Sequence, residues 1–392
     1  MTGRIARALS VSMLALLVVS VASAATPTAG APISQVGVAS GLAPAIRLTL
    51  PPRTFNLVAT GDVLTESAVN AAAATYGASS GARYDFAPLL APVIPIIASA
   101  DIAICQMEIP IGLPGERAGI YGRSPFGGNT LLAPYEIASG LRRAGFDRCT
   151  TASNHSNDLG VEGIDKTLAA LDANGISHVG TARQPTEAQT TLLTVNGVHL
   201  AHLSYTRYSN TQLPAEPWRV NFAATAAQVA ADVSAARNAG AEVVVVSLHI
   251  FQELLPAPLP DDRRFVQDLT AQSHVDLVIE HGPHVVQPLE QVNGTWVYWS
   301  VGNLISGMGT PSRGVFADPR TLDELAASAR FTETAPGVFS VEPWPVLLCN
   351  EPATRTLYAP ITALADRTLP AVVQGELAGC LDRTRAVVAG LH

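Results

Sequence analysis

Lysine is almost missing from this chain. Lys166 is the single lysine among 392 residues, and every other side-chain cation is an arginine. Charged residues make up only 14 %, the formal net charge is −8, and no Lys/Arg cluster occurs. A nucleic-acid partner therefore lacks the basic footprint that phosphate contacts require. Aromatic residues are scarce at 6 %, but hydrophobic residues reach 48 %, which excludes a disordered chain too polar to bury a core. No internal repeat is visible. No cysteine follows the N-terminal apolar stretch, which argues against a lipid anchor there. No later segment has the length and polarity of a membrane span.

The length suffices for one large domain or two ordinary ones. Arg4 and Arg7 precede the apolar stretch ALSVSMLALLVVSVASA, which closes on Ala22-Ser23-Ala24, a small-x-small cleavage pattern. We expect residues 1–24 to be a signal peptide, with an uncleaved anchor as the alternative. Residues 25–52, rich in Ala, Pro, Gly, Ser and Thr, read as a linker. The expected location is extracytoplasmic, secreted or anchored facing outward. Export permits disulfides. The four cysteines, Cys105, Cys149, Cys349 and Cys380, allow three pairings. Cys105 and Cys149 each end an apolar run and the other two lie in the tail, so we expect Cys105–Cys149 and Cys349–Cys380. Free buried cysteines are the alternative.

From Arg53 onward, apolar β-branched runs (FNLVAT, DIAIC, FDRCTTA, HLAHLSY, EVVVVSL, VDLVIE, WVYWSV) alternate with stretches of helical periodicity. Among the latter are LLAPYEIASGLRRAG, GVEGIDKTLAALDANG, AATAAQVAADVSAARNAG and DDRRFVQDLTAQS. Strands alternating with helices give an α/β domain, which we place at 53–334. Residues 335–392 are expected as a C-terminal appendage packed on it, with two strands and a final helix.

In open α/β sheets functional groups collect just past the carboxyl ends of strands. Here those positions carry Asp62, Glu108, Asn154 with His155 and Asp158, His249, His281 with His284, and Asn303. Any one of them alone reads as a turn or core residue. Turn chemistry favours Gly, Asn, Asp and Ser, not histidine, so it does not explain the set. Carboxylates able to bridge two cations, imidazoles and an amide suit a pair of divalent ions such as Mn, Fe or Zn, which can clamp the attacking and leaving oxygens of a displacement. A further histidine is then free to protonate a leaving group. Within VIEHGPHVVQ, the Gly282-Pro283 bend is expected to aim both histidines into one site, where a straight strand sends residues three apart to opposite faces.

The order GD…E…SNHSNDLG…HIFQE…HGPHVVQ…GN resembles the bacterial capsule-synthesis CapA family of the calcineurin-like metallophosphoesterase superfamily, from Phe55 to Met308. The resemblance implies a four-layer α/β/β/α sandwich of two mixed sheets flanked by helices, with one or two divalent ions at the strand ends. It implies Asp62, Glu108 and His284 around the first ion, with Glu108 bridging. It implies Asn154, His249 and His281 around the second. His155 resembles the superfamily's general acid, oriented by Asp158. Asn303 and Arg207 stand as substrate contacts or supports behind the ligands. Three departures bear on the site. Leu64 stands where the wider superfamily has a histidine, Gln106 replaces an asparagine, and Glu280 replaces a glycine. The implied function is an exported metal-dependent hydrolase acting on a phosphoester or an anionic polymer such as poly-γ-glutamate. The alternative is a non-catalytic metal-binding or scaffolding subunit of a membrane polymer-synthesis complex. Arg207, Arg123 and Arg313 are the arginines expected to make the cleft locally positive.

Overall fold

A computed structural model describes residues 51–250 and 252–388. The signal peptide expected at 1–24, and all of the linker except residues 51 and 52, lie outside the described residues.

The strands are β1 (Thr54–Asp62), β2 (Ile102–Gln106), β3 (Gly119–Arg123), β4 (Asn129–Leu132), β5 (Arg148–Thr150), β6 (Ser177–Val179), β7 (Leu192–Val195), β8 (Val198–Thr206), β9 (Val243–His249), β10 (Leu277–His281), β11 (Leu289–Val292), β12 (Thr295–Tyr298), β13 (Asp323–Ala335), β14 (Val338–Pro343), β15 (Val346–Asn350) and β16 (Leu357–Tyr358). The helices are α1 (Ser67–Ser80), α2 (Ala87–Leu90), α3 (Ile94–Ile97), α4 (Glu136–Ala144), α5 (Gly160–Ala173), α6 (Ala226–Asn238), α7 (Pro260–Gln272), α8 (Pro360–Ala363) and α9 (Ala371–Arg385). An eight-stranded sheet runs β16-β15-β13-β1-β2-β5-β6, with β14 paired to β13, and a six-stranded sheet runs β11-β12-β10-β9-β8-β7.

Side-chain alternation assembles these into four layers. Leu57 and Ala59 of β1 face Val243 and Val245 of β9 and Leu277 and Ile279 of β10, forming the layer between the sheets. Val58 points the other way, into a cluster with Phe86, Leu89, Ile137 and Leu141 from the helices and their flanks. On the far side, Val244 and Val246 of β9 meet Val229 and Val233 of α6 and Val266 of α7. Strands covered on both faces must be apolar throughout, which is why β9 begins with four consecutive valines. The result is the α/β/β/α sandwich of two mixed sheets flanked by helices.

The expected domain boundary at 334/335 falls in the β13–β14 hairpin. Residues beyond it supply β14, β15 and β16 to the eight-stranded sheet. Strand pairing and the burial of Leu347, Leu348 and Leu357 tie this segment into the sheet itself, so it is more than an added layer.

Both disulfides form with the expected pairing. Cys105–Cys149 joins directly opposed residues of parallel β2 and β5, and Cys349–Cys380 pins α9 to β15. The second closes a loop with a sequence separation of 31. Cys349→Ser with Cys380→Ser should cost about 3–4 kcal/mol of unfolding free energy, from lost restriction of the unfolded chain. Denaturant unfolding measures this, and metal content should stay as in the parent chain because α9 carries none of the proposed ligands.

The parallel core positions the site. β1, β2, β5 and β6 run parallel in one sheet, and β8, β9, β10 and β12 in the other. Their carboxyl ends share one edge of the sandwich. There His281 sits in register with His249, and Asp62 opposite Gln106.

Candidate metal centre

The layer between the sheets is hydrocarbon over most of its length and turns polar one rung before the edge. Arg148 of β5 lies within 3.3 Å of His202 of β8, whose other ring nitrogen is 3.0 Å from Ser247 of β9. Beyond this rung come Asp62, Glu108, His249, His281 and His284, all at most 4 % exposed.

Their polar atoms converge. The two carboxylates and His249 each place a ligand atom within 4.8 Å of the others. His281 Nδ1 is 3.7 Å from Asp62 Oδ1, and His284 Nδ1 is 3.3 Å from Asp62 Oδ2. Glu108 Oε1 lies 3.7 Å from His249 Nε2 and 3.9 Å from His284 Nε2. Three of these four separations exceed hydrogen-bond length, and several of the atoms have no partner. Asp62 Oδ1, both Glu108 oxygens, Asn154 Oδ1 and His281 Nδ1 are buried without a hydrogen bond. Burying such groups unpaired costs about 1–3 kcal/mol each, so a cluster of them marks a place built for a cation. The donor set of carboxylate oxygens, imidazole nitrogens and one amide oxygen fits a divalent transition ion.

The bend after β10 does what its residues predict. Gly282 has φ +104° and His284 φ +59°, a left-handed conformation unusual for a non-glycine residue and characteristic of strained functional turns. The turn brings both imidazoles to Asp62 and lets the Gly282 N–H donate to Asp62 Oδ2 at 3.1 Å. A Cβ on Gly282 would sit 1.9 Å from the Ile250 carbonyl oxygen. Gly282→Ala should therefore lose at least about 3 kcal/mol, from strain plus the forced shift of Ile250. Thermal melting checks the stability, and elemental analysis should show reduced metal.

Supporting contacts set the orientation of the ligands. His284 Nδ1 donates to Asn303 Oδ1 at 2.9 Å, leaving Nε2 for a cation, and Gln106 Nε2 lies 3.4 Å from His249 Nδ1. Asn303 thus stands behind His284 and does not line the cavity. Burial, reinforced by the neighbouring Asp62 charge, pushes Glu108 up to about 8. Burial holds His249 down to about 3 and His281 to about 4, so both are neutral and ready to donate electron pairs. Burial works against a charged His284 too, but Glu108 and Asp62 overcome it and raise that histidine to about 10.

His155 stands apart from this cluster, at the wall of a cavity of about 320 Å³ that opens onto it. Its Nδ1 lies 2.6 Å from Asp158 Oδ2, which also accepts the Leu131 N–H at 2.8 Å. Burial opposes protonation of His155, but Asp158 outweighs it and the net shift is upward.

Two residues without an assigned role join the site. Asn210 lies 3.2 Å from His155 Nε2 and accepts from the Asn154 amide at 3.3 Å, and Glu253 lines the cavity with His155 and His284. Both arrive from irregular loops, where no periodicity signals them. Arg207 is a correction. It does not line the cavity, because its guanidinium pairs with Asp262 of α7 and lies over the Phe265 ring at 4.4 Å. Glu280 likewise faces away. It shares the α7 side of β10 with Val278, and burial, followed by the Asp262 charge, raises its carboxyl well above the usual range. Arg123, Arg313 and Leu64 do line the cavity.

The family model for the bacterial capsule synthesis protein PGA_cap matches residues 56–308. Over 205 residues the chain is 26 % identical to the PGA biosynthesis protein CapA of Bacillus subtilis, covering 52 % of each protein. It is 23 % identical over 184 residues to the capsule biosynthesis protein CapA of Bacillus anthracis, covering 46 % of this chain and 44 % of that one. The chain spans about half the length of these curated relatives. Among solved structures, the calcineurin-like phosphoesterase YfkN of Bacillus subtilis aligns with a TM-score of 0.43 at 12 % identity, over 85 % of this chain and 98 % of that one. The 5'-nucleotidase precursor of Thermus thermophilus aligns with a TM-score of 0.42 at 11 % identity, over 85 % of this chain and 59 % of that one.

Proposed function

The chain belongs to the bacterial capsule synthesis protein PGA_cap family, and from that premise we propose that it is an exported, metal-dependent hydrolase of phosphoesterase type serving the synthesis or export of poly-γ-glutamate or another anionic cell-surface polymer. The observation that carries the catalytic part is the group of unpartnered buried atoms on Asp62, Glu108, Asn154 and His281, beside a histidine that is not part of it. Asp62, Glu108 and His284 would hold one ion, and Asn154, His249 and His281 a second. Mn, Fe or Zn suits this donor set. A bound divalent ion supplies Lewis acidity toward a substrate oxygen.

The remaining work falls to the chain itself. His155 Nδ1–H donates to Asp158, which fixes the ring and leaves Nε2 facing the cavity to carry a proton to a departing oxygen. The Asn210 amide lies beside the same ring, 3.3 Å from Nδ1 and 3.2 Å from Nε2. Burial of the ligand cluster keeps bulk water from competing for the ion. Two disulfides support an oxidising, extracytoplasmic location. Among the described residues no helix is long and apolar enough to cross a membrane.

Leu64 favours a second reading. An apolar side chain lines the cavity where the wider superfamily offers an imidazole, as suits a metal-binding or scaffolding subunit without turnover. One experiment separates the two. The purified chain is loaded with Mn²⁺, its metal content is determined, and cleavage of a generic phosphodiester and of poly-γ-glutamate is followed. Bound metal with turnover on either substrate supports the hydrolase. Bound metal without turnover on a panel of phosphoesters and polymers supports the metal-binding scaffold, and absence of metal removes the hydrolase.

A further inference from the structure

The cavity over the metal centre does not end at its rim. A second cavity, of about 260 Å³, lies beside it and shares Glu66, Asn129, Leu131 and Arg313 with it. Either volume is near or below the low end for small-ligand sites, about 300–1,000 Å³, while the two in series make a groove for something longer. The partition between them is the β3–β4 hairpin. It is tied to the proposed acid at two points, since Leu131 N–H donates to Asp158 at 2.8 Å and the Ser124 hydroxyl donates to the Asn210 carbonyl.

The second cavity has an apolar wall and a cationic end. Ile120 and Leu132 line it, and Ile120 is 54 % exposed among the described residues. Arg117 stands at the same wall. Arg313, on the shared side, pairs through Nη2 with Glu66 but keeps a buried Nε without a hydrogen-bond partner. Arg123 lines the first cavity and has no ion pair among the described residues. Both Glu66 oxygens are already engaged, one by Arg313 and the other by the Gly307 N–H at 3.0 Å. Counting Arg117, Arg123 and Arg313 against Glu66 and Glu253, the groove is positive by one charge on a chain whose formal charge is −8. An anion repelled elsewhere on the surface is therefore drawn here.

We propose that the second cavity is a subsite for the neighbouring unit of a chain-like anionic substrate, its anionic group between Arg117 and Arg313 and its aliphatic stem on Ile120 and Leu132. This rests on the hydrolase reading for what happens in the first cavity. It adds that the ligand straddles the hairpin, so a polymer is engaged through at least two units and a small monoester fills only half the groove. Carboxylates along a polyglutamate and phosphates along a polyphosphate present the same chemistry to these arginines.

The test is direct binding to the metal-loaded chain, by fluorescence polarisation of labelled γ-linked glutamate oligomers and, separately, polyphosphates of increasing length. Affinity should tighten by about tenfold or more from one unit to four in at least one series. Carrying Arg117→Glu with Ile120→Glu should flatten that dependence. Both side chains are exposed, so the fold should tolerate the changes. Length dependence with glutamates supports the subsite as stated, and with polyphosphate alone, which has no aliphatic stem, it confines the subsite to Arg117 and Arg313. Length-independent binding in both series, or a length dependence that survives the double substitution, overturns it. Hydrolysis of a small phosphodiester is followed in the same samples. Its absence beside intact length dependence removes the hydrolase reading and leaves the subsite standing.

Discussion

Chelation should strip the centre, lower the melting midpoint by roughly 5 °C and abolish turnover, and Mn²⁺ should restore both. The stability change follows from linkage. An ion held by the folded chain alone contributes about 2.7 kcal/mol at a hundredfold excess over its dissociation constant, and each kcal/mol moves the midpoint of a domain this large by about 2 °C. Without the ion, Asp62 Oδ1 and both Glu108 oxygens are left buried without a hydrogen bond, a cost that proton uptake offsets only in part.

Metal affinity should also rise with pH, in a direction fixed by the free site. Glu108 is raised to about 8 by burial and the Asp62 charge, so at pH 6 it holds a proton that metal must displace. His284 is raised by the charges of Glu108 and Asp62 across from it, so the two side chains share protons that the metal must displace. Each displaced proton makes the apparent dissociation constant fall by about tenfold per pH unit between pH 6 and 8. Calorimetry at several pH values, in buffers of different ionisation enthalpy, measures both the affinity and the protons released. A pH-independent affinity would show that neither group gives up a proton to the ion.

The convergence of these side chains is legible in the sequence because they follow parallel strands. In that topology an apolar run predicts both a strand and where its next polar residue emerges. Asp62, Glu108, His249 and His281 were legible for that reason. The HGPH bend was legible through its Gly-Pro. Arg207 occupies the same kind of position after β8, but the carboxylate that claims it comes from α7, a tertiary pairing no local pattern encodes. His202 lies on the inward face of β8 with Leu200, and only the neighbouring strands reveal the polar rung it belongs to. Helix α1 (SAVNAAAATYGASS) leaves little mark in the sequence pattern because an alanine-rich segment has little contrast between its faces. The β3–β4 hairpin has no sequence signature because both strands are short and β3 is largely exposed, leaving no alternation.

His155→Ala should lower kcat on a phosphodiester by about 10²–10⁴ and leave metal content as it was. The geometry demands both halves. His155 is held by Asp158 and has no hydrogen bond or ion pair with Asp62 among the described residues, so on the proposed reading its removal takes a proton donor and no ligand. His281→Ala should do the reverse, reducing bound metal first and activity only as a consequence. The pH profile separates acid from ligand further. Asp158 raises His155, so the protonated form persists above the ordinary histidine range, and activity should decline only as pH passes that raised value. Asp158→Asn removes the charge that raises it. The decline should then begin at lower pH, with a smaller loss at the optimum than His155→Ala causes. If instead His155→Ala lost metal in proportion to activity, the histidine would be a ligand, and the proton would have to come from elsewhere in the cavity.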